Sequence, residues 1–465
     1  MKKRDFLKLT GLSGIGLMHF DAANAQPALI SSRGSRPQKF NMSGYAAPKI
    51  DTVRIGYIGL GNRGGGAIQR IQKLENVEVK ALCDIRTANA EAARNTFKGD
   101  VKPQVYSGSA DAWKKMCERD DIDLVYICTP WSLHAPMALY AMEHGKHVAV
   151  EIPVATTVDD CWKLVETSER TKKHCMMLEN CCYDFFEMLT LNMARQGYFG
   201  DVVHVEGAYI HDIYDSFFDT TKRYDHWRLK ENQRNGNLYP MHGLGPVAQV
   251  LDINRGDKMD YLVSMSSNDF MLGQQAEKVA KENPAFQQFA GKKFRGNMNT
   301  TTIRTAKGKT IMLQHDVTSP RVYSRLHLIS GTKGSAQKYP LAEGEQGRIS
   351  QGHEWLTPEN FKLLEQKFQP EIVKRIGELA KKIGGHGGMD FLMDWRLIDC
   401  LRNGLPLDQD VYDAASWSVI APLSEWSVAH RSNSIDIPDF TSGAWKNNKP
   451  VDIALEKGGN TGVRI

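Results

Sequence analysis

The most constraining feature of this chain is a glycine-rich stretch, Gly-Leu-Gly-Asn-Arg-Gly at residues 59–64, which directly follows the apolar run Val53–Ile58. A lone G-x-G-x-x-G motif is weak evidence for a ligand. Here it separates a strand-like run from a helix-like run at residues 67–74, and a second strand-like run at residues 77–82 leads to Asp84. This order of strand, turn, helix and strand is typical of a dinucleotide-binding fold.

The chemistry of a bound dinucleotide accounts for these residue types. Gly59, Gly61 and Gly64 allow a tight turn and a close approach to the pyrophosphate, whose charge lies at the N-terminus of the following helix. Asp84 lies about twenty residues past the last glycine, where a carboxylate accepts hydrogen bonds from both ribose hydroxyls. Because that carboxylate repels a 2′-phosphate, the pattern favours NAD over NADP.

Residues 1–25 have the pattern of a targeting segment. Residues 2–8 are rich in Lys and Arg, residues 9–18 are mildly apolar, and Ala-Asn-Ala at residues 23–25 is a small-residue cleavage site. The basic part resembles the twin-arginine export signal, with Lys3 in place of the first arginine, and the general secretory route stays open. We therefore expect an exported protein, periplasmic or secreted. The segment is too short and too polar to span a membrane.

Composition excludes several function classes. The formal net charge is only +5 in 465 residues, and the basic residues form no block, so nucleic acid is not an expected partner. The eight cysteines show neither a C-x-x-C pair nor zinc-ligand spacing, so no metal site and no disulfide framework are predicted. Most of them lie in apolar runs, where cysteine behaves as a small buried hydrophobe. This usage suits folding in a reducing cytosol before export.

The rest of the chain divides into two predicted domains. Residues 26–50, rich in Ser, Pro, Gly and Asn, are expected to form a leader or arm. In residues 51–180 strands and helices alternate, which predicts an α/β Rossmann domain with a doubly wound parallel sheet. Its predicted strands are 53–59, 77–84, 124–129, 147–150 and 175–178, and its later helices are 88–97, 110–119, 135–143 and 159–171.

Residues 181–465 predict a substrate-binding α+β domain with a large open, mostly antiparallel sheet. Its predicted strands are 202–209, 261–267, 301–305, 310–316 and 326–330. A helix is expected at 185–195, and helices at 370–382, 389–402 and 411–431 are expected to pack back across the domain. The polar segment 278–297 is expected to be exposed.

Two short motifs after predicted strands carry a family resemblance: Cys-Thr-Pro at residues 128–130 and Glu-Ile-Pro at residues 151–153. With the two-domain pattern, they resemble the Gfo/Idh/MocA oxidoreductase family. In its dehydrogenases the second motif is Glu-Lys-Pro, whose lysine assists proton transfer at the sugar carbon that is oxidised. Ile152 occupies that position here, and isoleucine neither gives nor takes a proton. The departure argues against ordinary sugar dehydrogenase chemistry.

Longer motifs point to one branch of that superfamily. They are Trp-Ser-Leu-His at 131–134, Met-Leu-Glu-Asn at 177–180, the block 236–246 around Tyr-Pro-Met-His, Gly-Gly-His-Gly-Gly-Met-Asp at 384–390 and Ile-Pro-Asp-Phe at 437–440. Together they resemble glycoside hydrolase family 109, whose members are NAD-dependent α-N-acetylgalactosaminidases. The resemblance runs from about residue 53 to residue 440.

The resemblance implies two sets of site residues, carried over by position. The NAD site would be lined by Gly59, Gly61, Asn62, Arg63, Gly64, Asp84, Trp131, Leu133, His134, Glu151, Ile152 and Asn180. The sugar site would be lined by Tyr209, Arg228, Tyr239, Pro240, Met241, His242 and Tyr323. Met241 stands where a threonine is expected in relatives, which changes substrate fit but not proton chemistry.

The resemblance also implies an unusual mechanism, which suits the absence of an evident carboxylate pair in the sequence. NAD would oxidise C3 of the sugar, the C2 proton and the aglycone would then leave by elimination, water would add at C1, and the hydride would return. His242 is the best acid/base candidate, since the pKa of histidine lies near neutrality. Tyr239 is a possible proton donor, and His386 could reach the site from its glycine-rich loop. His134 is expected to order the nicotinamide.

Two alternatives stay open at this stage. One is a secreted NAD-dependent sugar dehydrogenase of the same fold, which Ile152 disfavours. The other is a non-catalytic sugar-binding protein that keeps NAD as a structural element. The expected ligand is a small molecule or glycan with a terminal N-acetylgalactosamine, and the open sheet face suits a homodimer. The sequence leaves the exact sugar and its anomer undecided.

Overall fold

The computed structural model of the protein describes residues 36–100, 102–219 and 224–464. The predicted export signal, residues 1–25, and the first part of the predicted leader lie outside the described residues. The described part of the leader has no regular secondary structure and is bonded to later parts of the chain. Gln38 Nε2 donates to the Tyr412 hydroxyl at 2.8 Å, and the Lys39 amide donates to the Glu169 carboxylate at 2.9 Å.

The first domain is built around a six-stranded parallel sheet, which confirms the predicted Rossmann fold. Its strands are β1 (Val53–Ile58), β2 (Val77–Asp84), β3 (Gln104–Ser107), β4 (Leu124–Ile127), β5 (His147–Val150) and β6 (Cys175–Met177). Their spatial order is β3-β2-β1-β4-β5-β6, the doubly wound order with a switch point between β1 and β4. β4 and β5 are buried along their whole length because helices cover both faces of the sheet.

Five helices connect these strands: α1 (Asn62–Ile71), α2 (Thr87–Arg94), α3 (Ala112–Cys117), α4 (Trp131–Glu143) and α5 (Val158–Thr171). α1 begins earlier than the helix predicted at 67–74, because its first five residues include three glycines that carry no periodic signal. β3 was missed. It is a four-residue edge strand in which no side chain is fully buried, so its apolar pattern is weak.

The second domain contains an eight-stranded sheet, which confirms the predicted large, mostly antiparallel sheet. Its strands are β7 (Val202–Ile210), β8 (Met259–Ser266), β9 (Asn299–Thr305), β10 (Thr310–Asp316), β11 (Ser324–Gly331), β12 (Ser335–Gln337), β13 (Arg348–Ser350) and β14 (Ile435–Asp436). They are ordered β13-β12-β11-β7-β10-β9-β8-β14, and β7 and β10 form the parallel pair. Burial alternates along β10, so one face of the sheet packs against helices and the other stays half-exposed.

The helices of this domain are α6 (Phe185–Arg195), α7 (Trp227–Glu231), α8 (Met241–Val250), α9 (Leu272–Glu282), α10 (Pro358–Phe368), α11 (Glu371–Ile383), α12 (Met389–Asn403), α13 (Val411–Ser418) and α14 (Ile420–Ala429). Short 3₁₀ helices lie at Asn180–Tyr183, Tyr214–Phe217, Tyr224–His226, Pro284–Phe289, His386–Gly388 and Ala444–Lys446. α10 was not predicted; only Phe368 of its eleven residues is buried, so its apolar stripe is weak.

The single helix predicted at 411–431 is wrong: the structure has two helices, α13 and α14, joined at Val419. Pro422 explains the interruption. Proline has no N–H to donate to the carbonyl four residues earlier, so the ladder cannot pass Ser418, where α13 ends.

The expectation that residues 278–297 are exposed holds for most of their polar side chains, but the segment also buries apolar ones. α9 buries Leu272, Ala276 and Ala280, which follow one another at the four-residue spacing of a helix face. Beyond it, Phe286 and Phe289 are buried in the domain core. The polar residues between these apolar positions concealed the periodicity.

None of the described helices is both long and apolar enough to cross a membrane. All eight cysteines lie in the described part of the chain, and every one is a free thiol. This agrees with the prediction that they form no disulfide framework.

Candidate active site

A cavity of about 400 Å³ lies where the carboxyl ends of the parallel strands meet the second domain. Residues from both domains line it. From the first domain these include Gly59, Gly61, Asn62, Arg63, Asp84, Trp113, Trp131, Leu133, His134, Glu151, Ile152 and Asn180. From the second domain they are Tyr209, Trp227, Arg228, Tyr239, His242 and His386.

The glycine turn after β1 has the shape that a dinucleotide needs. Gly59 has φ +86°, and a Cβ atom there would lie 2.5 Å from the carbonyl oxygen of Cys128. A Cβ on Gly64 would collide with the carbonyl of Gly59, so both glycines keep the turn tight. At Gly61 an added Cβ meets no protein atom within 4 Å, although Gly61 lines the cavity. The turn is therefore packed on its protein side and open on its cavity side, next to the N-terminus of α1.

Asp84 holds the turn and faces the cavity at the end of β2. Its Oδ2 accepts the Leu60 amide at 2.7 Å, and its Oδ1 accepts the Arg86 amide at 2.8 Å. Asn89 Nδ2 also donates to Oδ2, at 3.3 Å. A carboxylate has about four acceptor sites, so about one site stays available for a ribose hydroxyl. These residues fit NAD.

A charged network connects the turn to the second domain. Arg63, in the first turn of α1, is 2.8 Å from Glu151 and 3.3 Å from Asp390. Asn180 donates to Asp390 at 2.5 Å. The nearby Glu151 charge raises the pKa of Arg63, so its guanidinium is always charged. Burial opposes ionisation of Asp390, but the hydrogen bond from His386 and the charges of Arg63 and Arg70 hold its pKa below the usual range.

His134 links the loops after β4 and β5. Its Nδ1 lies 2.7 Å from the carbonyl oxygen of Pro153, and its Nε2 lies 2.7 Å from that of Thr129. Burial lowers the pKa of this histidine. Since both ring nitrogens face backbone carbonyls, the side chain orders the two loops that border the NAD end of the cavity.

Aromatic rings surround the charge of Arg228. Its guanidinium carbon lies 5.1 Å from the Trp227 ring centroid, 5.5 Å from that of Trp131 and 5.8 Å from that of Tyr239. Trp131 and Tyr239 are stacked with centroids 5.4 Å apart. Burial raises the pKa of Tyr239 well above its ordinary value and keeps its hydroxyl protonated. The group places an apolar ring surface beside a cation at the cavity wall.

His242 is held by close packing of its helix. It is the second residue of α8, and its Nδ1 lies 2.8 Å from Oε1 of Glu179. A Cβ on Gly243 would collide with the backbone of β7, and one on Gly245 would lie 2.8 Å from Cγ of Glu179. The two glycines therefore let α8 approach both β7 and the carboxylate. Tyr209 lies against the histidine, with ring centroids 5.2 Å apart.

His386 reaches the same cavity from a loop of glycines. Gly384, Gly385, Gly387 and Gly388 all have positive φ, and His386 itself has φ +46°. Its Nδ1 lies 2.8 Å from Oδ2 of Asp390. Its side chain is 57% exposed, against 15% for His242. Among the described residues, two histidines of the cavity wall are thus each backed by a carboxylate from outside the wall; one pair is enclosed and the other is open to solvent.

The structure brings most predicted site residues to the cavity wall, but not all of them. Gly64, Pro240, Met241 and Tyr323 do not line the cavity. Met241 is fully buried, and Tyr323 packs edge-on against His211, whose Nδ1 contacts the Tyr209 hydroxyl at 2.9 Å. The predicted roles of these residues stay predictions.

Sequence reasoning missed four contributors: Trp113, Trp227, Glu179 and Asp390. Trp227 was signalled only by its place beside Arg228. Glu179 and Asp390 lie inside the motifs at 177–180 and 384–390. The presence of a carboxylate in each motif was the only sequence signal that it pairs with a histidine of the site.

Comparison with known proteins identifies the family of this chain. The family model for the glycosyl hydrolase 109 C-terminal domain matches residues 183–447, and that of the oxidoreductase family with an NAD-binding Rossmann fold matches residues 53–179. An alpha-N-acetylgalactosaminidase of Bacteroides fragilis is 51% identical over 425 residues, 88% of this chain and 97% of the relative. The chain belongs to glycoside hydrolase family 109. A family 109 protein of Shewanella pealeana is 45% identical over 97% of this chain and 99% of its own length.

Solved structures show the fold of this family 109 protein. A myo-inositol dehydrogenase from Lactobacillus casei, in complex with NAD(H) and myo-inositol, aligns with a TM-score of 0.57 at 17% identity, covering 84% of this chain and 99% of that one. The WlbA dehydrogenase from Bordetella pertussis, in complex with NADH and UDP-GlcNAcA, gives a TM-score of 0.59 at 16% identity, covering 84% and 100%. The family 109 protein is a glycoside hydrolase, and its cofactor is NAD.

Proposed function

We propose that this enzyme removes terminal α-linked N-acetylgalactosamine from glycans or small glycosides, and that its cofactor is recycled in every turnover. The sugar specificity is supported by the 51% identical alpha-N-acetylgalactosaminidase of Bacteroides fragilis. It is also supported by the ring surface and guanidinium of Arg228 in the cavity.

The carboxylates of the cavity carry the mechanistic part of the proposal. Among the described residues that line it, only Asp84 and Glu151 have carboxyl groups. Asp84 bonds to the glycine turn and Glu151 is paired with Arg63, so both belong to the NAD end. A common glycosidase needs two carboxyl groups on either side of the scissile bond. This cavity is therefore suited to a different route.

An oxidation–elimination route fits the groups that are present. When bound, NAD would supply a reversible hydride acceptor for C3 of the sugar, so that C3 becomes a ketone as its hydroxyl proton is lost and an alcohol again at the end. The ketone acidifies the proton at C2, a base removes that proton, and the aglycone leaves C1. Water then adds at C1, so that the net reaction is hydrolysis.

The two histidines divide the proton transfers by their exposure. The sugar ring lies at the enclosed end of the cavity, and the aglycone projects towards solvent. His242, enclosed and backed by Glu179, acts at the sugar ring as the base for C2. His386, exposed and backed by Asp390, donates a proton to the leaving oxygen. Both have a ring nitrogen other than Nδ1 for this purpose.

A panel of nitrophenyl N-acetylhexosaminides tests the substrate and the reaction together. We expect release of nitrophenol from the α-N-acetylgalactosaminide, without net NADH. Hydrolysis in D₂O should leave deuterium at C2 of the released sugar. Steady accumulation of NADH would instead indicate a dehydrogenase. Inactivity on every glycoside of the panel would favour a non-catalytic sugar-binding protein.

The proposal also implies that NAD stays bound through purification, since an exported enzyme meets little free NAD. Denatured enzyme should release about one dinucleotide per chain, a stoichiometry that follows from its one glycine turn of this kind. Asp84→Ala should weaken NAD retention by about 1–3 kcal/mol, because ribose hydroxyls and the Leu60 amide lose their acceptor. An unchanged NAD content in that variant would contradict the assigned role of Asp84.

We propose, on the pattern of residues 1–25, that the protein is exported through a twin-arginine-like signal. The supporting observation is the basic stretch with Arg4 ahead of a mildly apolar run and a small-residue cleavage site. Cell fractionation of the full chain should find the cleaved form outside the cytoplasm, and Arg4→Gln should retain it inside. Continued export of that variant would indicate the general secretory route.

We further propose a homodimer across the half-exposed face of the eight-stranded sheet. Tyr261 and Met265, which share that face on β8, are 37% and 66% exposed. Light scattering of the purified enzyme should give the mass of two chains, and Met265→Lys should give one. Leu363→Lys, which changes an exposed residue of α10, is the matched control. A monomeric wild-type enzyme would contradict the proposal.

A further inference from the structure

Three possible metal ligands meet behind the ring of His242. Its Nδ1 lies 2.8 Å from Oε1 of Glu179 and 3.2 Å from Sγ of Cys181. One ligand atom from each of these residues lies within 4.8 Å of the other two. Metal–ligand distances of about 2.0–2.3 Å around a tetrahedral ion produce ligand separations in this range. The three side chains therefore need little movement to share one ion.

A second observation points to a missing partner at the same place. Oε2 of Glu179 is fully buried and has no hydrogen-bond partner among the described residues. A buried unpaired carboxylate oxygen is costly. The side chain is also fixed in position, since Oε1 accepts the Cys181 amide at 2.9 Å and Gly245 packs against Cγ.

The ligand chemistry selects the ion. Carboxylate, thiolate and imidazole together suit a borderline-soft divalent ion such as Zn²⁺, and three protein ligands leave a fourth position for water. A carboxylate and a thiolate would balance the two positive charges of the ion. Burial raises the pKa of Cys181 well above its ordinary value, so the thiol is protonated when no metal is present.

We propose that Glu179, Cys181 and His242 form a zinc-binding site that inhibits the enzyme. On binding, Zn²⁺ forms bonds to Nδ1 of His242, a Glu179 oxygen and Sγ of Cys181, and the thiol proton is released to solvent. The hydrogen bond between His242 and Glu179 is thereby lost. The ring proton that Nδ1 shared with Glu179 moves to Nε2, which then cannot accept a proton from the sugar. The inhibition rests on the proposed role of His242, whereas the metal binding does not.

Cobalt provides a test of binding that needs no turnover. The NAD-loaded enzyme, freed of metal by a chelator and desalted, is titrated with Co²⁺. We expect one ion per chain, a tetrahedral visible spectrum and a thiolate charge-transfer band in the near ultraviolet. Cys181→Ser should lose that band. Cys182→Ser is the matched control, because Cys182 is the neighbouring buried cysteine but is not one of the three ligands.

Zinc inhibition is then measured on the same proteins with a nitrophenyl glycoside. Zinc should inhibit the wild-type enzyme and the Cys182→Ser variant equally, and a chelator should reverse the effect. For Cys181→Ser the half-inhibitory zinc concentration should rise at least tenfold, since even loss of an outer-shell partner costs about 10–100-fold in affinity.

Two results would overturn the site: a cobalt spectrum without a thiolate band, or equal zinc sensitivity of Cys181→Ser and wild type. If Cys181→Ser loses NAD or melts early, X-ray absorption of the zinc-loaded wild-type enzyme decides, since one sulfur ligand is expected and none would refute the site. A cobalt site in an enzyme inactive on every glycoside would refute the proposed function but leave the metal site standing.

Discussion

The two histidine–carboxylate pairs at the cavity make the same contact, but their histidines lie in very different backbone structures. In each pair a histidine Nδ1 lies 2.8 Å from a carboxylate oxygen. His242 belongs to α8, whose glycines allow a close approach to β7 and Glu179, and its side chain is 15% exposed. His386 lies between glycines with positive φ, and its side chain is 57% exposed.

This difference teaches how one reaction can use two kinds of acid/base group. A base that acts at one fixed carbon benefits from a rigid, enclosed position, since small displacements are costly in rate. A proton donor to the leaving group must accept aglycones of different shape, and a glycine-rich loop allows that adjustment. We therefore expect the enclosed pair to set the chemistry on the sugar and the open pair to serve the aglycone.

The largest effect should come from the enclosed pair. His242→Ala should lower turnover by about 10²–10⁴-fold, the usual value of a positioned acid or base, while NAD stays bound. The loss should be similar for good and poor leaving groups, because proton removal from C2 precedes departure of the aglycone. Turnover per mole of bound NAD, measured beside the melting temperature, separates catalysis from folding. Near-normal turnover would remove His242 from the mechanism.

A smaller, substrate-dependent effect should come from the open pair. His386→Ala should lower turnover of alkyl glycosides by up to about 10²–10⁴-fold, but should affect a dinitrophenyl glycoside much less. The reason is that a stable phenolate leaves without a proton. Rates with the two substrates test this directly. An equal loss of turnover on both substrates would mean that His386 acts on the sugar. It would contradict the assignment of the open pair to the aglycone.

The charge of Asp390, the carboxylate of the open pair, should contribute to the free energy of unfolding of the protein. Asp390→Asn should reduce the free energy of unfolding by about 1.5–3 kcal/mol at neutral pH, the usual value of hydrogen bonds to a charged group. The pKa of Asp390 is lowered in the folded protein, so the unfolded state binds more protons in acid. The stabilising contribution of Asp390 is therefore full above about pH 4. It is lost as the pH falls through the pKa of the folded state.

Urea unfolding of wild type and Asp390→Asn at several pH values measures that contribution. The difference between the two proteins should shrink steadily below pH 4. A difference that is constant with pH would mean that Asp390 acts through packing and not through its charge.

The smallest expected effect comes from two glycine-to-alanine changes in the loop around His386, which separate backbone strain from a steric contact with Asp390. Gly387→Ala places a side chain at φ +74° with no atom within 4 Å, and should cost about 1–2 kcal/mol of strain. Gly385→Ala has a similar φ, +83°, but its Cβ would lie 2.7 Å from Cβ of Asp390. It should also reduce turnover, because it displaces the partner of His386. Equal turnover in the two variants would show that the loop absorbs this contact.

Much of the NAD half could be predicted from the sequence because its signals are local. The glycine turn and Asp84 lie within about twenty-five residues of one another, and each strand has its own apolar run. The failures were local as well: β3 of this half lacks a buried run, and in the second domain Pro422 divides a helix that its neighbours favour. The sugar half was less predictable, since its strands are separated by long excursions that carry mixed signals.

The pairs within the site could not be predicted in this way. Glu179 and His242 are separated by 63 positions, and Arg63 and Asp390 by 327. No periodic pattern connects residues at such separations. The motifs indicated that these segments matter, but not which carboxylate would face which histidine.

The sequence by itself determined the dinucleotide turn, the order of the two domains and, through its motifs, the family. Those features depend on short-range sterics and on apolar periodicity, which are written in consecutive residues. Only the tertiary structure decided that His242 is enclosed with Glu179 and Cys181, that His386 is open beside Asp390, and that Met241 and Tyr323 do not line the cavity. These outcomes depend on how close two distant backbones approach, and glycine-mediated packing between α8, β7 and residue 179 decides that distance.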